Sequence, residues 1–157
     1  MHGIRVAICG GSVSIAEEAR LHAGLISRGE VSPLKDVPFH GASDAPITRR
    51  VLTGGDLFPE AEKRVVAHEM RAVSAATRDY CEPHVHDCPE INILLSLDHL
   101  VYEITLGDES YVVEAPASIY IPAGLTHSAN VIEGSGFFIA IIETADYVAK
   151  PPPGATF

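Results

Sequence analysis

The sequence predicts an all-β domain. Apolar, β-branched runs of strand length recur through the second half of the chain, at Glu90–Leu97, Leu100–Leu106 and Phe137–Glu143. Turn residues separate these runs, and the 157 residues include 13 glycines and 11 prolines, which suits short strands joined by tight turns. A chain of this length is expected to form one domain with a sizeable core.

Residues 1–45 are predicted to form an N-terminal extension that packs on the main domain or on a second subunit. Ile4–Cys9 is β-branched and apolar, which indicates a strand. A capping-box signature then predicts a helix from about Ile15 to Arg28, ended by a glycine. The glycines between them match no nucleotide-binding fingerprint, because neither G-x-G-x-x-G nor a P-loop lysine is present. Val31–Pro46, with three prolines, is predicted to be a loop.

The main domain is predicted to span residues 46–146. It begins with a short strand at Ile47–Thr53, followed by Lys63–Ala76 as one long or bent strand. A helix is an open alternative for the second segment, because Ala, Glu, Arg and Met all favour helices. His68 and Glu69 in this segment are expected on a partly exposed strand face, with a pocket-facing position as the alternative. His40, in the preceding loop, is expected at the surface.

The remaining strands follow at short intervals. They are predicted at Glu90–Leu97, Leu100–Leu106, Ser110–Glu114, Ser118–Ile121, from His127 to about Ile132, and at Phe137–Glu143. Glu133–Gly136 is predicted to be a hairpin turn, and the very apolar last strand is expected at the centre of the fold. Residues 147–157 contain three consecutive prolines and are predicted to be a C-terminal tail outside the fold.

Metal-binding side chains cluster in two short stretches. His84 and His86 are one residue apart, so on a strand they point the same way. The short turn after them brings Glu90 back towards the pair, and His127 follows a Pro-x-Gly turn. Three imidazoles and one carboxylate form a common ligand set for a divalent transition metal: Fe, Mn, Ni, Co or Zn, between which the sequence does not choose.

These stretches read H-x-H-x3-E and P-x-G-x2-H, with 36 residues between Glu90 and His127, and they resemble the two signature motifs of the cupin superfamily. The resemblance covers about residues 47–145. It implies a double-stranded β-helix, or jelly-roll barrel, that holds a metal on the same four residues, and it implies a homodimer. The chain has Arg78, Leu97 and Pro116 where the family usually has turn glycines, so its turns are expected to differ.

The ligand set favours a catalytic or ligand-sensing site over a structural one. Structural sites are usually tetrahedral and rich in cysteine, whereas four ligands on an octahedral ion leave about two positions open. The resemblance implies a small metalloenzyme of dioxygenase, decarboxylase or lyase type that acts on a small oxygenated or carboxylated molecule. The alternative is a non-catalytic module that binds metal or a small ligand.

Polar groups for the surrounding pocket must come from a short set of residues. Strand parity places Asn92 on the same face as Glu90, which makes it a candidate partner for that ligand or for the substrate. Parity also makes Tyr102 and Glu103 mutually exclusive inside the barrel. The set comprises Asn92, Ser96, Tyr102 or Glu103, Tyr111, Tyr120 and Asn130.

Charge and cysteine content narrow the partners. A net charge of −10 argues against nucleic acid or an anionic membrane as partner, and no apolar run reaches the roughly 18 residues of a membrane helix. A small-molecule substrate is therefore the expected partner. The three cysteines are an odd number without framework spacing, which favours a reduced, cytoplasmic setting. Cys88, between the ligands, is expected to be a small turn residue, with contact to a ligand as the alternative.

Overall fold

The structure is a computed structural model that describes residues 22–41, 46–74 and 80–154. Within these ranges the chain folds into antiparallel strands, which confirms the predicted all-β class. The strands are β1 (Glu30–Val31), β2 (Ile47–Thr53), β3 (Arg64–Val73), β4 (Glu90–Leu95), β5 (Leu100–Leu106), β6 (Glu109–Glu114), β7 (Ala117–Ile121) and β8 (His127–Ile142). Two 3₁₀ turns, at Ala23–Leu25 and Leu34–Asp36, flank β1.

Strand β8 joins the two halves of the barrel. Its first half pairs with β5, which pairs with β6, and its second half lies between β3 and β4 in the order β1-β2-β3-β8-β4-β7. The predicted hairpin turn at Glu133–Gly136 is wrong, because the strand continues through it and bends. The bend requires a glycine at position 134. Its φ is +108°, and a Cβ there would lie 2.1 Å from the carbonyl oxygen of His99.

The core lies between the two halves of the barrel and follows the alternation of side chains along each strand. On β4, Glu90, Asn92 and Leu94 are buried, while Ile91 and Ile93 are only half-buried. The parity predicted for Glu90 and Asn92 is therefore confirmed. Leu94 packs with buried apolar side chains of β3, β5 and β8, so a polar stretch of the interior continues directly into an apolar core.

The long segment before the metal-binding stretch is strand β3, which excludes the helical alternative. Its pairing with both β2 and β8 outweighs the helix propensity of its alanines and charged residues. The predicted helix does not reach Arg28, because the described residues there form only the turn at Ala23–Leu25. Ile4–Cys9 and the start of that helix lie outside the described residues. The predicted loop is partly ordered, since β1 pairs with β2 and Leu34 is buried in the core.

Part of the segment predicted to be a C-terminal tail pairs with the barrel. Val85 and Lys150 exchange two backbone hydrogen bonds, of 2.9 and 3.0 Å, so the residues after β8 return to the metal-binding stretch. The three prolines after Lys150 are typical of a free tail, so the sequence did not predict this pairing. The division of the chain at 45/46 and 146/147 stays a prediction. Among the described residues no helix has the length and apolar character to cross a membrane.

Candidate metal centre

Backbone hydrogen bonds bring the two metal-binding stretches together. The amide of His84 donates to the carbonyl of His127 at 3.0 Å, and the amide of His127 donates back at 2.9 Å. Gly124, in the Pro-x-Gly turn, donates to the carbonyl of His86 at 2.8 Å. Gly124 has a φ of +80°, so a glycine suits this turn. Residues far apart in the sequence thus become neighbours through main-chain contacts.

The three histidine rings converge on one point inside the barrel. Their ring centroids are 4.9 Å apart for His84 and His86, 4.5 Å for His84 and His127, and 5.2 Å for His86 and His127. One ligand atom from each lies within 4.8 Å of the others. All three are buried, with 2–3% of their surface exposed. The spacing suits three ligands of one ion.

Each ring is oriented by a hydrogen bond from its Nδ1 atom to a backbone carbonyl. A carbonyl can only accept, so Nδ1 carries the proton and Nε2 presents its lone pair. The acceptors are Glu82 for His84 at 2.8 Å, Val148 for His86 at 2.8 Å, and Leu125 for His127 at 3.0 Å. Val148 belongs to the segment predicted to be a tail, so the chain after β8 helps to set the site.

Glu90 lies beside two of the histidines. Its Oε2 atom is 3.1 Å from Nε2 of His86 and 3.7 Å from Nε2 of His127. Its Oε1 atom accepts a hydrogen bond of 2.7 Å from Nδ2 of Asn92, as the strand parity predicts. Despite the short distance, neither Nε2 atom forms a hydrogen bond of normal geometry, and both are buried without a partner. Buried lone pairs of this kind fit a binding site for a cation.

The pKa values favour the metal-binding forms of two ligands. Burial lowers the pKa of His84 to about 3, so its ring is neutral at physiological pH. Burial would raise the pKa of Glu90, but contacts with His127 and His86 outweigh it and hold that pKa well below its usual range. Burial also opposes charge on His86, yet Glu90 and the Val148 carbonyl raise its pKa above the ordinary value. A proton on His86 therefore competes with the metal.

A cavity of ≈ 40 Å³ opens beside the ligands. Because one water molecule needs about 10–15 Å³ of such volume, the cavity has room for roughly three groups of that size. A polar part of its wall contains Arg49, His68 and Tyr147, and the Tyr147 ring lies 5.2 Å from that of His86. The rest is mostly apolar and aromatic: Val37, Val66, Tyr80, Ala129, Phe138, Ala140 and Ile142. The arrangement can hold a small ligand between the metal-binding residues and the polar wall.

Of the polar residues predicted for the pocket, Asn92 borders the cavity. Tyr102 is the member of its pair that points inside, but its hydroxyl contacts Sδ of Met70 at 3.3 Å, in the core. Tyr111 and Tyr120 are exposed, which places them on the outer faces of β6 and β7. The alternation of side chains predicts which face of a strand a residue occupies, but not whether that residue borders the cavity, lies in the core or is exposed.

Two more of the predicted polar residues have local structural contacts. Asn130 accepts a hydrogen bond from the amide of Cys81 at 2.9 Å and donates to its carbonyl at 3.0 Å. Ser96 donates to the carbonyl of Ser135 at 2.7 Å, in the turn after β4. These contacts hold the backbone and leave neither side chain available to a ligand.

The sequence did not predict the polar part of the cavity wall. His68 lies in the cavity, not on a partly exposed face, and His40 lines the cavity with its ring 5.7 Å from that of His84. Arg49 was not singled out at all. A signal for it exists, because with a period of two Arg49 shares its strand face with Ile47 and Val51. A polar residue on an apolar strand face points to the interior.

Comparison with solved structures identifies the fold. An RmlC-like cupin from Shewanella frigidimarina superposes with a TM-score of 0.50 and 14% identity, covering 76% of this chain and 86% of that one. A cupin 2 domain-containing protein from Halorhodospira halophila gives a TM-score of 0.52 and 16% identity, covering 69% and 71%. A variant of B. subtilis oxalate decarboxylase gives 0.50 and 18%, covering 80% of this chain and 33% of that one.

No family model matches the sequence, and no curated protein sequence is significantly similar to it. The structural likeness therefore stands on the backbone, at identities that show the fold alone. It bears out the cupin fold indicated by the two motifs. The geometry described above brings together the three histidines and places Glu90 beside two of them.

Proposed function

We propose that this chain, which has the cupin fold, is a small metalloenzyme that binds one divalent transition metal on His84, His86, Glu90 and His127. It would act on a small oxygenated or carboxylated molecule by dioxygenase, decarboxylase or lyase chemistry. The observation that carries the proposal is the set of three oriented Nε2 lone pairs, two of them buried without a partner. No cysteine stands among these residues, which sets the site apart from structural zinc sites.

A divalent ion on these ligands would supply a Lewis acid or a redox centre with open coordination positions. The chain's own residues perform the other tasks. Asn92 holds one oxygen of Glu90, which leaves the second oxygen directed at the histidines. The apolar wall, including Phe138 and Ile142, limits the access of water and so strengthens the electrostatic interactions inside.

Metal content and turnover test the proposal together. The purified wild type is expected to contain close to one equivalent of Fe, Mn, Ni, Co or Zn, measured by inductively coupled plasma mass spectrometry. Oxygen uptake and product formation are then followed with a panel of small carboxylates and diketones. His84→Ala and His127→Ala should lose both metal and turnover while circular dichroism still shows the β-fold, because apolar strands carry the core.

His99→Ala is the matched control, since the side chain of this histidine is 43% exposed and its ring contacts the surface carboxylates of Glu114 and Glu133. It should keep wild-type metal content. Unchanged metal content in both ligand variants would contradict the assignment. A fully loaded protein that turns over no substrate in the panel would instead favour the second candidate, a cupin that holds metal or a small ligand without reaction. The homodimer stays a prediction from the resemblance, to be tested by gel filtration.

A further inference from the structure

Arg49 is a buried cation in the wall of the cavity. Only 6% of its surface is exposed, although arginine is almost never buried without a paired anion. Among the described residues no aspartate or glutamate forms an ion pair with it. The next residue, Arg50, is exposed on the opposite face of β2, so the sequence places one arginine in each environment.

The groups around Arg49 lack partners as well. His68 lies directly across from it in the β2–β3 register, and its Nδ1 atom is buried without a hydrogen bond. The Tyr147 hydroxyl is also buried without a partner, and the side chain lines the same cavity. The Tyr147 hydroxyl can donate, Nδ1 of His68 donates or accepts according to its tautomer, and neither group brings negative charge to Arg49. Burial lowers the pKa of His68 to about 3, so its ring adds no second cation.

The net charge of the cavity calls for an anion. Three neutral imidazoles and one carboxylate leave a bound divalent ion with one positive charge, and Arg49 adds another. Glu90 cannot balance both, because its oxygens already contact Asn92 and the histidines. Two positive centres that share a nearly dry space are stabilised when a ligand brings negative charge between them.

We infer that Arg49, which lies across from His68 in the strand register, is the anchor for a small organic carboxylate whose other end faces the metal-binding residues. The inference rests on the proposed function for the position of the reacting end, and it narrows the substrate class to carboxylates. A planar guanidinium matches a carboxylate with two parallel N–H···O bonds. The cavity volume of ≈ 40 Å³ restricts the acid to a few non-hydrogen atoms inside the present walls.

Ligand titration tests the inference. Acetate and glycolate are titrated by isothermal calorimetry into wild type, Arg49→Gln and Arg50→Gln, in both metal-loaded and metal-free forms. Acetamide and glycolamide are the neutral counterparts, and inorganic phosphate is the competing anion. The wild type should bind the carboxylates more tightly than the amides or phosphate. Arg49→Gln should weaken carboxylate binding about 10- to 100-fold, the scale of a hydrogen bond to a charged group, and should leave amide binding unchanged.

Arg50→Gln should bind the carboxylates as the wild type does, because its side chain faces solvent. Arg49→Lys keeps the positive charge but loses the planar guanidinium with its two parallel N–H groups, so its carboxylate affinity should lie between those of Arg49→Gln and the wild type. Equal carboxylate affinity in Arg49→Gln and wild type, preference for phosphate, or no carboxylate binding to the wild type would each overturn the inference. Failure of the proposed function gives a different result: either metal content is near zero or a loaded protein shows no turnover, and in both cases titration of the metal-free protein still reports on Arg49.

Discussion

The two ends of the cavity differ in how their polar atoms are satisfied. At the metal-binding end each histidine donates Nδ1–H to a backbone carbonyl, and Asn92 holds Glu90. At the Arg49 end, Nδ1 of His68 and the Tyr147 hydroxyl have no hydrogen-bond partner, as is also true of Nε2 of His86 and His127 at the first end. The first end is preorganised by the protein itself. The second has no such orienting hydrogen bonds among the described residues, which fits the carboxylate anchor proposed at Arg49.

The largest expected effect is at the preorganised end, where Glu90→Gln removes the negative charge of the ligand set and keeps its shape. Loss of a partner behind a ligand typically costs 10- to 100-fold in metal affinity, so loss of this charge should cost more than about 100-fold. Competition with a chromophoric chelator measures the change.

Glu103→Gln is the matched control for Glu90→Gln, because Glu103 is only half-buried on β5 and lies outside the cavity. Its metal affinity should equal that of the wild type. A Glu90→Gln protein that also matched the wild type would show that the three histidines bind the ion without the carboxylate.

The same contrast explains what the sequence could predict. The metal-binding end could be predicted from local spacing. Two histidines with a period of two point the same way on a strand, and the Pro-x-Gly turn marks the position of the third. The alternation along β2 could have placed Arg49 in the interior, but its position across from His68 depends on the β2–β3 register, which a single sequence does not show. The carbonyl of Val148 was hidden for the same reason, since nothing local places it against His86.

The bend in β8 could not be predicted for a different reason. Glu133–Gly136 has the composition of a hairpin turn, and locally that reading is sound. The structure uses Gly134 and Gly136 to carry one strand from one half of the barrel to the other, past the backbone of His99 and Leu95. Close approach to another backbone and a tight turn both select glycine. Only the pairing of the whole strand separates the two.

A smaller effect is expected when the support behind a ligand is removed. Asn92→Ala deletes the 2.7 Å hydrogen bond to Oε1 of Glu90 and frees that carboxylate to rotate. Metal affinity should fall about 10- to 100-fold. Ile91→Ala, on the opposite face of β4, serves as control and should affect stability but not metal affinity. An Asn92→Ala protein with full affinity would show that the histidines alone fix the carboxylate.

The dependence of metal affinity on pH tests whether a proton occupies the metal-binding end. Burial opposes a charge on His86, but Glu90 and the Val148 carbonyl outweigh it, so the pKa of His86 in the metal-free fold lies above the ordinary histidine value of 6.5. Its protonated form stabilises the metal-free fold below pH 6.5, and that contribution is lost as pH rises through the raised pKa. Metal must displace this proton, so affinity should fall as pH drops, beginning above pH 6.5 and approaching about tenfold per pH unit.

Chelator competition across the neutral range measures this profile. His84, with a pKa of about 3, contributes nothing to it near neutral pH. His99→Gln is the control, because the pKa of His99 is also raised, by Glu133 and Glu114, outside the site. That variant should reproduce the wild-type profile. An affinity that stays constant down to pH 6.5 would mean that His86 is neutral before the metal binds.

The smallest expected effect is a gain of stability at the incomplete end. Arg49→Met replaces a buried, unpaired charge with an apolar chain of similar length and should raise the free energy of unfolding by roughly 0.5–2 kcal/mol without ligand. Urea denaturation measures it. Arg50→Met, exposed on the same strand, should change stability by less than about 0.5 kcal/mol. A saturating carboxylate should reverse the order, because it stabilises only the protein that keeps Arg49. Loss of stability in ligand-free Arg49→Met would show that the guanidinium is satisfied within the fold, and the two ends of the cavity would then be alike.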